Sequence, residues 1–234
     1  TENNYERILF KEDKMNSISL KSRAKINLSI DVIGKREDGY HIVEMIMQTI
    51  DLYDDIKLKE LEEDNIIIKS ECSYIPLNED NIVYKAAKLI KEKMDIKKGI
   101  EIFIKKNIPV AAGMAGGSSN AAAVLVGLNE LWKLGLSKDE LRDLGLKLGA
   151  DVPFCIEGGT ALAEGIGEKL TSLPPMVKCP VLIAKPAISV STKFVYENLK
   201  LNEETIHPDI DQLIKDINDK DLHAIAGHMG NVLE

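Results

Sequence analysis

The sequence predicts an α+β fold, and three observations carry that reading. In residues 18–33, Ala24, Ile26, Leu28, Ile30 and Val32 alternate with Lys25, Asn27, Ser29 and Asp31. That period of two is the mark of a half-buried strand. From Asp80 to Met94 the period lengthens, and Ile82, Ala86, Leu89 and Ile90 share one helical stripe. Strands and helices then intermingle without regular βαβ repetition, which separates α+β from a doubly wound α/β architecture.

After the first strand, "EDGY" reads as a turn, and "HIVEMIMQTI" and "DDIKLKEL" as strands. "NIIIKS" and "IEIFIKKNIP" flank the first helix as two more strands. A second helix runs to about Trp132. Ser137 and Glu140 are spaced as a capping box and open a third, ending at Gly149. "ALAEGIGEKL" gives short strands and "VLIAKP" a buried one. Helical patterns over 192–199, 208–217 and 220–233 close the chain. Met15 reads as a natural start, so residues 1–14 are expected to be a leader or upstream extension outside the fold. A boundary near Gly158–Gly167 divides the chain into segments 15–163 and 164–234.

Composition limits what such a fold can do. The 234 residues are 44% hydrophobic, enough for a sizeable core, and the formal charge is −8. A nucleic-acid binder needs a basic face, so that class is disfavoured. The scattered Cys72, Cys155 and Cys179 form no CxxC pair and fit a reducing cytoplasm. No apolar run has the length of a membrane span. His207, His223 and His228 have no metal-site spacing, so no protein-held metal is expected.

The most informative stretch is "IPVAAGMAGGSSNAAAVLVGLNEL", residues 108–131. Glycine lets backbone N–H groups approach a ligand without a Cβ in the way. A helix beginning at Ser118 or Ser119 adds unpaired N–H donors and the positive end of its dipole. The serine hydroxyls can cap that helix or reach a phosphate oxygen or Mg²⁺. A strand-to-helix turn with an ordinary serine cap accounts for the glycines equally well. The spacing matches neither a Walker A loop nor G-x-G-x-x-G.

The whole string "PVAAGMAGGSSNAAA" resembles the P-x-x-x-G-[LM]-x-[GS]-S-S signature of the GHMP kinase superfamily. "AKINLSIDVIGKREDGYHIVEMIMQTIDLYD" and "LGADVPFCIEGGTALAEGIGE" are similar to the branch acting on a cytidine-diphosphate-linked methylerythritol. The resemblance covers most of residues 18–170. It implies a two-domain GHMP kinase fold and transfer of the γ-phosphate of ATP to the 2-hydroxyl of that substrate. Mg²⁺ would arrive with the nucleotide. Alternatives are a homoserine- or mevalonate-type kinase, or a non-catalytic nucleotide-binding protein on the same fold. The implied partner is a small molecule, with no nucleic acid or membrane, for a monomer or weak homodimer.

The resemblance also implies roles. Pro109, Val110, Ala111, Ala112, Gly113, Met114, Ala115, Gly116, Gly117, Ser118 and Ser119 form the ATP loop. Asp151, alone most simply a turn or cap residue, aligns with the superfamily's catalytic aspartate. Lys25, alone a solvated strand lysine, would complement the aspartate's charge and orient the acceptor hydroxyl. Asn27 would bond the methylerythritol, Tyr40 stack on the cytosine and His41 bond its edge. Tyr196 is the candidate for the opposite face of that stack, with Phe194 as fallback. GHMP kinases carry a third glycine-rich motif near their end. After Gly167 the only glycines here are Gly227 and Gly230, so that motif and the C-terminal segment are expected to be missing. A stripe of Leu222, Ile225, Ala226, Met229, Val232 and Leu233 is expected on a final helix.

Overall fold

A computed structural model describes residues 7–12, 15–186, 192–202 and 205–233. The chain forms two compact units that interleave along the sequence. The first takes residues up to Ala24, then Ile50–Val110 and Ala115–Glu157. The second takes Lys25–Thr49, Ala111–Met114 and the residues from Gly158 onward. Consecutive segments divided near residue 163 are not how the chain packs. The reason is strand length: β2 (Met15–Lys35) and β3 (His41–Leu61) have 21 residues each. Strands average about 5–6 residues. No Gly or Pro interrupts "QTIDLYDDI", so the two strands expected there are one, and each long strand passes through both units.

In the first unit, β1 (Arg7–Glu12) pairs antiparallel with the start of β2, from Arg7↔Leu20 to Glu12↔Met15. Part of the expected leader therefore belongs to the sheet, while residues 1–6 and 13–14 lie outside the described residues. Strand order is β1-β2-β3-β5-β4, with β4 (Ile66–Ser70) and β5 (Gly99–Lys105). β3 meets β5 antiparallel, and β4 meets β5 in parallel. A parallel pair needs a crossover, and α1 (Ile82–Met94) supplies it. Asn81 caps α1, its Oδ1 accepting from the Val83 N–H at 3.1 Å.

Alternate residues of the strands, Ile18 and Leu20, Ile56 and Leu58, Ile100, Ile102 and Ile104, face one core with Val83, Ala86, Ala87 and Ile90 of α1. α2 (Gly116–Leu131) is buried almost continuously from Ser119 to Leu125, as expected of a helix apolar all round. Gly127 shows how close it lies: a Cβ there would sit 2.5 Å from a Leu58 methyl and 2.8 Å from one of Leu20. Ser137 makes both halves of the expected capping box on α3 (Lys138–Leu146). α4 (Val152–Glu157) follows, a helix the sequence reading missed. Five consecutive apolar residues carry no helical period, and Pro153 fits a helix only because it lies in the first turn.

The second unit holds the remaining halves of β2 and β3, β6 (Thr160–Gly165) and β7 (Lys169–Ser172). β6 lies antiparallel to β3, from Val43↔Gly165 to Gln48↔Thr160. Leu28 and Ile46 pack with Ile210, Leu213 and Ile217 of α6 (Ile210–Asp219) and Ile225 of α7 (Leu222–His228). α5 spans Thr192–Asn198. Two expectations fail here. "VLIAKP" is not a buried strand: it has no ladder partner among the described residues, and Leu182 is 96% exposed. The final helix also stops at His228. β8 (Gly230–Asn231) instead pairs in parallel with Ser29 and Ile30, and only Ile225 of the expected stripe is buried. Gly227 and Gly230 weaken a helix. Gly230 is further bound to this place because a Cβ would sit 2.9 Å from Pro208.

Candidate active site

Between β5 and α2 the chain turns through three left-handed residues: Ala111 (φ 54°), Gly113 (φ 69°) and Ala115 (φ 54°). For an alanine this conformation costs roughly 1–2 kcal/mol, and such strain gathers at functional sites. Alternation of right- and left-handed residues is what builds anion-binding nests from backbone N–H groups. α2 begins at Gly116, earlier than expected, so Ser118 and Ser119 lie inside its first turn and do not cap it. The N-cap is Ala115, which makes no side-chain capping bond. The first helical bond runs from the Ser119 N–H to the Ala115 carbonyl at 2.8 Å. The N–H groups of Gly116, Gly117 and Ser118 precede it, at the positive end of the helix.

The two serines are distinguished by burial. Ser119 is 1% exposed; its hydroxyl donates to the Arg23 carbonyl at 2.6 Å and accepts from the Ser22 hydroxyl at 2.8 Å. Its single proton is committed to structure. Ser118 is only half-buried.

Beneath the loop's ends lies a polar cluster in which sequence reading assigned nothing but Ser119. Asp54 and Lys106 form a buried ion pair, 0% and 5% exposed at their side chains. Asp54 Oδ1 accepts from the N–H groups of Asn107 (2.7 Å) and Ile108 (2.8 Å). Its Oδ2 accepts from the Lys106 ammonium and from Asn120 Nδ2 at 2.8 Å. Asn120 Nδ2 also donates to Ser22 Oγ at 2.9 Å. The signal available in the sequence was Asp54 in the acidic stretch "DLYDD" of a β-strand pattern and an Asn in an alanine-rich helix.

In the second unit, the polar side of β2 is buried rather than solvated. Lys25 is 5% exposed, Ser29 1% and Asp31 6%. Each has a partner that lowers the cost of burial. Lys25 Nζ donates to Asn27 Oδ1 at 3.1 Å, and Ser29 Oγ to the Gly230 carbonyl at 3.2 Å. Asp31 Oδ1 lies 2.7 Å from His207 Nδ1. The Lys25 N–H also donates to the Met114 carbonyl at 3.2 Å, which ties this strand to the glycine loop. His207, unremarkable in sequence, is thus a strand anchor, and His228 pairs with Asp216 at 2.6 Å. No cluster of metal-ligand type occurs among the described residues.

Asp151 stands at the entry to α4, where its carbonyl accepts the Cys155 N–H at 3.0 Å. The expected turn and cap geometry is therefore real at the backbone level. Tyr40 sits on the turn before β3, 60% exposed. That turn is closed by the Arg36 N–H to the Tyr40 carbonyl at 2.7 Å, with Gly39 at φ 88°. His41 and Tyr196 come together, their rings stacked with centroids 5.1 Å apart. Phe194 is 60% exposed and belongs to no such pair among the described residues.

An uncapped helix N-terminus offers its first N–H groups to an anion, and the comparisons identify the class of protein that carries it. Residues 81–159, from α1 through α4, match the family model for the GHMP kinases N terminal domain. A 4-diphosphocytidyl-2-C-methyl-D-erythritol kinase from Clostridioides difficile (strain 630) is 64% identical over 221 residues, 94% of this chain and 75% of its own length. One from Alkaliphilus metalliredigens (strain QYMF) is 57% identical, covering 94% and 76%. A solved structure of 4-(cytidine 5'-diphospho)-2C-methyl-D-erythritol kinase superposes with a TM-score of 0.69 at 28% identity, over 90% of this chain and 76% of that one. A homoserine kinase from Cytophaga hutchinsonii (TM-score 0.68, 18% identity, covering 96% and 74%) shares the fold. The fold is that of the GHMP kinases. Within them, the chain belongs to the 4-diphosphocytidyl-2-C-methyl-D-erythritol kinase family.

Proposed function

We propose that this chain phosphorylates the 2-hydroxyl of 4-diphosphocytidyl-2-C-methyl-D-erythritol at the expense of ATP. The observation that carries the reading is the strained, uncapped glycine loop, in a chain 64% identical to a kinase of that name. Phosphoryl transfer needs little covalent help from a protein; it needs the phosphates held in line and their charge offset. Pro109 opens the loop, and Val110 through Ser118 present N–H donors to the polyphosphate. Ser118, half-buried where Ser119 is fully buried, is the serine suited to Mg²⁺ carried in by the nucleotide.

In this reading Asp151 takes the acceptor proton and Lys25 complements its charge. Asn27, held by Lys25, bonds the methylerythritol. Tyr40 offers the cytosine a face and His41 an edge contact. Residues 15–163 then carry the loop and the reacting groups, and residues 164–234 contribute Tyr196. No helix among the described residues is long and apolar enough to cross a membrane. Cys72, Cys155 and Cys179 form no disulfide among the described residues, which suits the reducing cytoplasm this reading implies.

The test is a coupled ADP-release assay with the cytidyl substrate, homoserine and mevalonate in parallel. Release that depends on the cytidyl substrate alone is expected. Release with homoserine or mevalonate instead overturns the substrate, and no release with any acceptor overturns the catalysis.

A further inference from the structure

The two ends of the glycine loop are pinned to one buried side chain. Asp54 Oδ1 takes both N–H groups of Asn107 and Ile108, where the chain enters the loop. Asp54 Oδ2 takes Asn120 Nδ2, in the first turns of the helix by which the chain leaves it. Lys106 completes the carboxylate's four donors. Its ammonium also approaches α2, since a Cβ on Gly116 would lie 3.1 Å from Lys106 Nζ. A cation at a helix N-terminus is unfavourable, and Asp54 offsets it.

Stability alone does not call for this arrangement. A buried ion pair can often be replaced by apolar side chains with no loss. An apolar residue could not hold residues 107–108 and 120 at a fixed separation. The cluster reaches further, because Asn120 Nδ2 also holds Ser22 Oγ, which donates to Ser119 Oγ. Ser119 in turn is tied to the Arg23 carbonyl.

We propose that Asp54 is a positioning residue for nucleotide binding: it fixes the span of the glycine loop through Asn107, Ile108 and Asn120, and Ser22 extends that clamp. The proposal rests on the glycine loop being the ATP site. Asp54 touches no substrate in it, and its effect falls on ATP and not on the alcohol acceptor.

The experiment titrates ATP against wild type and Asp54→Asn, with melting temperature and KM for the cytidyl substrate measured alongside. Asparagine keeps one acceptor for residues 107–108 but sets an NH₂ against Asn120 and the Lys106 ammonium. The Kd for ATP is expected to rise about tenfold, with KM for the alcohol unchanged. A folded Asp54→Asn with lowered melting temperature but unchanged ATP affinity overturns the proposal. If Asp54→Asn does not fold, Ser22→Ala decides. It is expected to raise the Kd about threefold, and an unchanged Kd overturns the proposal equally. Gly117→Val separates the two layers, because a Cβ there meets only Ile82 at 3.7 Å. If it leaves ATP binding intact, the loop reading falls and this proposal with it. If it abolishes binding while Asp54→Asn does not alter it, only the role of Asp54 falls.

Discussion

The imidazole of His41 lies on the ring of Tyr196, with centroids 5.1 Å apart and planes inclined by 28°. Tyr196 therefore supports His41 in this arrangement. The two tyrosines should then fail differently. Tyr40→Ala should weaken the cytidyl substrate by about 1–3 kcal/mol, the worth of one base–aromatic stack. Tyr196→Ala should chiefly relax the choice between cytidine and uridine analogues, because it frees the imidazole. KM values for both analogues decide this, and equal loss of both with Tyr196→Ala would instead assign Tyr196 to a stack on the base opposite Tyr40.

Asp151→Asn should lower kcat by roughly 10²–10⁴-fold, the range for general acid–base catalysis. ATP affinity should hold, since the loop donors are backbone N–H groups. Rapid-quench turnover together with an ATP titration measures both quantities. Near-normal turnover from a folded Asp151→Asn removes the aspartate from the mechanism.

What could be read from sequence was local. The Ser137 capping box, the end of α2 and the period of β5 are set by residues within a few positions of one another, and all three appear as expected. Features that join distant residues were invisible. Asp54 and Lys106 are 52 apart, Ser22 and Asn120 98, and Asp31 and His207 176. The polar side of β2 was misread for that reason: alternation gives the two faces of a strand but not what covers each. "VLIAKP" failed from the other direction, since apolar content makes a strand only where a ladder partner exists. The glycine loop was legible as a chemical string. Its left-handed alanines, and a cap without a side chain, were not.

Glu44 and Glu164 are direct cross-strand partners in the β3–β6 ladder. Burial first, then repulsion from Glu164, Asp211 and Asp31, holds the Glu44 carboxyl above its ordinary value. A carboxyl raised in the folded state destabilises folding wherever both states are ionised. That penalty is full above the raised value and is gone below the unfolded one, about 4.3. Glu44→Gln should therefore raise the melting temperature at pH 7–8 by about 1–2 °C, the size of one like-charge cross-strand pair. The gain should vanish near pH 4. Calorimetry at the two pH values checks it, and an equal gain at both contradicts the electrostatic account.

Ser118 and Ser119 are neighbours in the first turn of α2, yet their substitution should separate stability from catalysis. Ser119→Ala removes a buried hydroxyl that donates to Arg23 and accepts from Ser22. Leaving those partners unpaired should cost about 1–3 kcal/mol, or roughly 2–4 °C in melting temperature for each kcal/mol in a chain of this size. Residual activity at low temperature should be close to wild type, because the hydroxyl faces the protein. Ser118→Ala removes the hydroxyl of a half-buried residue, and its effect on stability should stay within about 0.5 kcal/mol. If that hydroxyl meets the metal carried by ATP, kcat should fall about tenfold, a loss near 1.4 kcal/mol in the transition state. The Mg²⁺ concentration for half-maximal rate should rise with it. Thermal melts and Mg²⁺ titrations of both variants give the answer. The reverse pattern, with Ser119→Ala losing Mg²⁺ response and Ser118→Ala losing stability, would exchange the two roles.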